Sequence, residues 1–564
     1  MQRPPDLPMP STNLALTLGS PQFSDGKLAA IANDQGDLAA WFEAFTGTGG
    51  HAPAGVTGDF AVAVTLSDNR SFLAVDRFGI RTMCYRIDDG RLRFAARADE
   101  LADSTTEIDP QAIFDYLYFH AIPSPRTIYK GIFRLPPAHC ASFENGQFTL
   151  RPYWVPSFSE QPGKSFEALK DEFRQIVRDG VAKQLDGSKV GCFLSGGTDS
   201  STVAGMAALV SGKTAATYSI GFDAQGYDEM EFARLASKHF KTEHHEYYVT
   251  PSDLVQSIAS VATSFDQPFG NSSALPSYYC AKMAFEDGIT KILAGDGGDE
   301  LFGGNSRYAK QKIFDFYRHV PGFIQKGFLE PLLEKRAAAA FPLTRKGASY
   351  VEQARVPMPD RLQMYNLITR LGVNEVLTPQ FLAQIDTTQP LQLQRQVWMQ
   401  TSGCSALNKE LAFDWRFTLA ESDLPKVVGA TSLAGIDVGF PMLDDGLLAF
   451  SLKLPTGYKL KGQKLRWFFK EALRGFLPDD ILTKKKQGFG LPFGVWANTD
   501  SGLKALASDS LRSLANRGVV RADFVETLLT KRLPEHPGYF GEMVWILMML
   551  EQWLAAKAPN YRLG

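Results

Sequence analysis

Between residues 165 and 294 short apolar runs alternate with helical periodicity, and that alternation constrains the fold more than any other feature of the chain. Helical spacing over 165–187 is followed by the apolar run KVGCFL, a helix from Ser200, TAATYSIGF, a helix over 229–239, EHHEYYV, a helix over 254–263, and KIL. Consecutive parallel strands need a long crossover, which a helix supplies, so this order predicts a doubly wound parallel sheet. Beyond about residue 305 the segments read as amphipathic helices.

Residues 58–100 have a different character. GDFAVAVTL, SFLAVDRFGI and MCYRIDDGRLRFAARADEL read as short antiparallel strands, with DDG as a hairpin turn. A joint containing Pro, Ser and Gly near 154–164 divides the chain into domains 1–160 and 161–564. With 564 residues, 44% of them apolar, both parts can bury a core. The formal net charge of −2 leaves no basic field for nucleic acid. Cys84, Cys140, Cys192, Cys280 and Cys404 are widely spaced, which argues against a metal knuckle or a disulfide framework and for a reducing compartment. No apolar run approaches the roughly 18 residues of a membrane span. The start, MQRPPDLPMPSTN, lacks a secretory pattern, so a soluble, cytoplasmic protein without a membrane partner is expected.

Two glycine-rich turns, each directly after an apolar run, concentrate the chemistry. The first is Ser195-Gly196-Gly197-Thr198-Asp199-Ser200, which opens a helix. Glycines let backbone N–H groups close on an anion, and the helix N-terminus adds its dipole. Taken alone, this turn is explained equally well as a helix cap. The second turn, Ala294-Gly295-Asp296-Gly297-Gly298-Asp299-Glu300, shifts the balance. Both fall at strand carboxyl ends, where parallel sheets gather ligands. Asp199 and Asp299 are therefore expected to share Mg²⁺ on a bound phosphate group, which the resemblance below implies is pyrophosphate, because Mg²⁺ takes one or two carboxylates together with phosphate oxygens. The lysine of a γ-phosphoryl P-loop is missing.

The first turn resembles the pyrophosphate loop of the PP-loop synthetases. Both turns together resemble the asparagine synthetase family, as do Tyr218-Ser219-Ile220-Gly221-Phe222, Asp266-Gln267-Pro268, Pro441-Met442-Leu443-Asp444, Leu477-Pro478 and the run KKKQGFGLP at 484–492. The resemblance implies ATP and Mg²⁺ as cofactors. It puts Leu194 and Ile220 near adenine, Ala294 and Gly295 along the nucleotide or acyl group, and residues 195–200 on pyrophosphate. It also implies a catalytic role for Asp296 and for one cation among Lys464, Arg466 and Lys470 in a basic helical stretch, with Arg466 at the family's usual lysine position. Lys426, in Leu424-Pro425-Lys426, matches a further family position.

Gly58-Asp59-Phe60-Ala61, Asp76-Arg77-Phe78-Gly79-Ile80-Arg81 and Pro136-Pro137 resemble the family's glutaminase domain, an αββα fold of the N-terminal-nucleophile type. That chemistry needs a cysteine whose own α-amino group serves as base. Position 2 is Gln, and the family's Arg-Gly-Pro-Asp and Asn-Gly-Glu segments are not recognisable. The implied picture is a degenerate glutaminase domain before a PP-loop ligase that adenylates a carboxylate for attack by an amine. β-Lactam synthetases and lasso-peptide cyclases have this defect and close a ring with an internal amine. The expected substrate is a small-molecule or peptide carboxylate bearing an amine, with a precursor peptide, a partner processing protein or a homodimer as further partners. An asparagine synthetase using free or partner-supplied ammonia, and a non-catalytic nucleotide- or peptide-binding scaffold, are the alternatives.

Overall fold

The computed structural model describes residues 15–161, 163–318, 342–401, 403–484 and 490–563. The chain divides into two compact units, Met1–Ala112 with Ile122–Val155, and Ile113–Ala121 with Pro156–Gly564.

The first unit stacks two antiparallel sheets. Strands β1 (Ala15–Gly19), β2 (Phe60–Thr65), β3 (Ser71–Val75), β7 (His139–Glu144) and β8 (Gln147–Pro152) form one sheet in the order β1-β2-β3-β7-β8. Strands β4 (Cys84–Asp88), β5 (Arg91–Ala95) and β6 (Ile132–Arg134) form the other, with β4 central. Alternate side chains leave a strand on opposite faces, and β2 uses both. Phe60, Val62 and Val64 pack with Trp41 and Phe45 of helix α2 (Asp37–Thr48), which follows α1 (Gly26–Gln35). Ala61 and Ala63 instead meet Tyr85, Leu92 and Phe94 of the second sheet. The DDG turn joins β4 to β5 with Asp89 at φ 49° and Gly90 at φ 72°. Two successive positive φ values match the twist of a tight hairpin.

The second unit is organised by a parallel sheet. Helix α3 (Phe166–Gln184) starts where the Ser165 hydroxyl accepts the Ala168 N–H at 3.2 Å. Then come β9 (Val190–Phe193), α4 (Thr198–Ser211), β10 (Ala216–Phe222), α5 (Met230–Phe240), β11 (Glu243–Val249), α6 (Pro251–Ser264), α7 (Ala274–Glu286), β12 (Lys291–Leu293) and α8 (Gly298–Phe302). Much later, α9 (Leu424–Ala434) leads into β13 (Asp437–Gly439). The sheet order is β11-β10-β9-β12-β13, parallel throughout. The alternation over 165–294 therefore has the predicted form, with α7 and β13 added. The long C-terminal helix α11 (Pro537–Lys557), preceded by α10 (Trp467–Ala472), buries side chains all round, from Met543 and Trp545 to Trp553. No helix among the described residues is long and apolar enough to cross a membrane.

Because β9 and β12 are neighbours, the two glycine-rich turns leave the same rim of the sheet side by side.

Candidate active site

The first turn is set by β9. The Leu194 N–H reaches the Tyr218 carbonyl at 2.9 Å, carrying the parallel ladder one residue past the strand. The chain then turns through Gly196 at φ 68°. A side chain at Gly196 would run into the backbone of Phe232 and Ala233, so the position requires glycine on both counts. The Ser200 hydroxyl accepts the Ser195 N–H at 3.1 Å and lies 3.0 Å from the Ser195 hydroxyl. These bonds curl the turn over the start of α4, which has no side-chain cap at Gly197. Its first N–H groups thus remain available to an anion.

The second turn presses against the first. A Cβ placed on Gly295 would stand 2.7 Å from the Ser200 nitrogen, and one on Gly298 would collide with the Asp199 carboxylate. Gly304, where this segment leaves α8, likewise makes room for the Asp299 carboxylate and the Arg466 stem. The glycines therefore allow two acidic side chains from separate turns to converge.

Arg466 lies between those acids. Its Nη1 donates to Asp199 Oδ2 and to Asp299 Oδ1, each at 2.7 Å, while Nη2 donates to Asp199 Oδ1. Burial works against the guanidinium charge, yet the two carboxylates outweigh it and hold its pKa above the ordinary value. Its backbone is left-handed, at φ 53°, and its carbon sits 4.1 Å from the centre of the Phe469 ring. Glu300 is buried beside them, and burial together with Asp299 and Asp423 drives its carboxyl well above the usual range.

A cavity of about 1000 Å³ opens over the turns. Its wall includes Leu194, Ser195, Gly197, Thr198, Asp199, Ser200, Ile220, Gly295, Asp296 and Asp299. Gly196 and Ala294 are not part of that wall. Gly196 is turned against Phe232, and Ala294 is wholly buried with its N–H on the Gly439 carbonyl at 2.9 Å. Lys464, Arg466 and Lys470 all border the cavity but not on one helix, which corrects the reading of 464–472 as a single helical stretch. Lys464 and Leu465 form a short hairpin strand paired with Leu460–Lys461, and the helix begins only at Trp467. The left-handed turn at Arg466 separates the two. Lys470 is half-buried, and its pKa is lowered by burial and by Arg466 against the pull of Asp299 and Asp199. Among the described residues it has no ion-pair partner.

Two further pairs line the cavity. Lys426 Nζ lies 3.3 Å from Asp296 and 3.4 Å from Asp423, within the same wall. Burial opposes its charge, but Asp296 and Asp423 together raise its pKa. Asp423 had no motif to announce it. Its signal is the spacing to Lys426, three residues along a helix, which brings both onto one face. Lys484 sits 3.0 Å from Glu229 and 4.3 Å above the Phe232 ring. The remainder of its basic run, 485–489, lies outside the described residues, as does position 2. His244 bonds to the Thr217 hydroxyl at 3.0 Å and His245 stacks on Tyr218, so both serve the sheet.

Asp199 and Asp299 fit a Mg²⁺ site: a single nitrogen touches both carboxylates, so one cation at that point reaches both. Among the described residues no cluster of three or more His, Cys, Asp or Glu could enclose a metal. The remaining ligands would have to be phosphate oxygens and water, the habit of Mg²⁺ in nucleotide sites.

Comparison with known proteins places the chain in a family. An asparagine synthase family model matches residues 172–555, and a glutamine amidotransferase domain model matches 30–154. A protein named asparagine synthetase [glutamine-hydrolyzing] 1, from Bacillus subtilis (strain 168), is 24% identical over 494 residues, 86% of this chain and 75% of the relative. A putative asparagine synthetase of Mycobacterium bovis is 25% identical over 457 residues, covering 78% of this chain and 68% of its own. One from Methanocaldococcus jannaschii is 32% identical over 264 residues, 45% of this chain and 50% of the relative.

Proposed function

The chain belongs to the asparagine synthase family of ligases, which form C–N bonds while converting ATP to AMP and pyrophosphate, and from that premise we propose that it joins a carboxylate to an amine of its own substrate without glutamine as nitrogen donor. A carboxylate oxygen attacks the α-phosphorus, the bond to the bridging oxygen of the β-phosphate breaks, and pyrophosphate leaves. The amine nitrogen then attacks the acyl carbon, loses a proton, and AMP departs as the acyl C–O bond breaks. Mg²⁺, held by Asp199 and Asp299, would neutralise charge on the pyrophosphate oxygens. The N–H groups at the start of α4 and the Ser195 and Ser200 hydroxyls bind those oxygens, and Lys470 and Lys464 face them with positive charge.

The observation that carries the ligase reading is the meeting of two acidic turns at one point of the sheet rim. The cavity, at about 1000 Å³, has room for a nucleotide and an acyl donor together. The loss of glutaminase rests on the cysteines of the first unit. Cys84 and Cys140 are buried inside β4 and β7, each with peptide bonds on both sides. Neither has a free α-amino group to act as base. Intramolecular ring closure of a peptide or amino-acid derivative is the form of the reaction that makes an external nitrogen donor unnecessary.

The experiment is exchange of labelled pyrophosphate into ATP across a panel of amine-bearing carboxylates. Exchange that depends on one carboxylate, with AMP as product, is the expected result; ADP as product rules the mechanism out. The names of the relatives favour a second reading, in which ammonia converts aspartate to asparagine. AMP formation requiring aspartate and ammonia, with no cyclic product from any panel member, would establish it instead.

A further inference from the structure

We propose that Arg466 is a displaceable internal cation, holding Asp199 and Asp299 together before the nucleotide arrives and competing with the divalent metal for the same oxygens. The inference rests on the reading of those two aspartates as the metal carboxylates. Two converging carboxylates repel each other unless a cation stands between them. In the structure that cation is the Arg466 guanidinium, with three hydrogen bonds to the pair.

The arginine is anchored so that its charged end can leave while its backbone stays. The Arg466 N–H donates to the Gly303 carbonyl at 3.2 Å, and its carbonyl accepts the Lys470 N–H at 2.9 Å, which starts α10. The residue thus belongs to the second turn and the helix at once. Its left-handed φ of 53°, uncommon for a residue with a side chain, aims the stem across Gly304, where only a missing Cβ leaves a path. Nothing but the two aspartates binds the polar end among the described residues, since the buried Nε has no hydrogen-bond partner. The other contact, the face of Phe469, is apolar. A guanidinium also brings one positive charge against two negative ones, whereas a divalent ion matches both. The trade therefore becomes favourable when phosphate oxygens complete the metal's coordination and offer the freed guanidinium new acceptors. Without nucleotide it is unfavourable, and the protein binds metal weakly.

The test is titration of the full chain with Mn²⁺ alone, read by the free-ion EPR signal, for wild type, Arg466→Gln and Arg466→Ala. Gln keeps much of the stem packing if Ala destabilises the fold, and circular dichroism with thermal unfolding verifies each variant. Removing the internal cation is expected to tighten Mn²⁺ binding at least tenfold, and adding Asp199→Asn to Arg466→Gln should abolish the gain. Unchanged or weaker Mn²⁺ binding in a folded Arg466 variant overturns the proposal and leaves the ligase reading standing. Failure of every form to bind Mn²⁺, even with ATP present, overturns both.

Discussion

Lys470 and Arg466 are four residues apart and have opposite electrostatic situations. Arg466 is committed to two carboxylates, while Lys470 borders the cavity with no ion-pair partner among the described residues, half-buried in a place that disfavours its charge. A cation of that kind gains most when negative charge develops in front of it. Lys470→Met is therefore expected to slow carboxylate-dependent pyrophosphate exchange by about 10²–10³-fold, the scale of losing one preorganised electrostatic contact. Retention of more than a third of wild-type exchange would remove Lys470 from the chemistry. Gly298→Ala is expected to abolish exchange, because its methyl collides with the Asp199 carboxylate. The matching check is a loss of ATP binding by calorimetry that exceeds any fall in thermal stability. Both turns and all three cations were visible in the sequence, because glycine and charge leave a local signature. The distinction among Lys464, Arg466 and Lys470 was not, since it depends on a backbone reversal at Arg466 that no propensity foretells.

At the level of elements, the strands and helices that alternate over 165–294 were legible because each is amphipathic or apolar on its own scale. Helix α7 and strand β13 were not. Asp437–Gly439 is three residues long and becomes a strand only by pairing with β12, and so carries no periodicity to detect. In the first unit, the turn after β3 depends on one buried acid. The Asp76 carboxylate accepts N–H groups of Phe78, Ile80 and Arg81 at 3.0–3.1 Å, and burial raises its pKa to about 6. Asp76→Ala would leave those donors without their acceptor and is expected to cost about 2–4 kcal/mol. Denaturant unfolding of the full chain, with the first-unit transition followed separately, measures it; a change under about 0.5 kcal/mol, the level of an ordinary surface substitution, would show that the turn holds by other means.

At the scale of the whole molecule, Lys459 ties stability to pH. It is fully buried, donates to Asn408 Oδ1 at 3.2 Å, and burial lowers its pKa from 10.5 to about 7. Between those values the unfolded chain holds a proton that the folded chain does not, so unfolding free energy rises with pH in that window. Below about 7 both states hold the proton, and the cost of burying the charge is felt in full. Relative to Lys459→Met, the wild type should gain about 1.4 kcal/mol per pH unit above that point. Parallel pH profiles for the two proteins in chemical denaturation would refute this. Nothing in the sequence marked Lys459, because a lysine beside a glycine-rich hairpin reads as exposed until the surrounding chain is packed over it. The order β11-β10-β9-β12-β13 has a separate implication. The strands bearing the two acidic turns are adjacent, although the whole β10 to α7 excursion intervenes between them in the chain. Change confined to the loops of that excursion reshapes the cavity wall that chooses a substrate, while the direct pairing of β9 with β12 keeps the two acidic turns side by side.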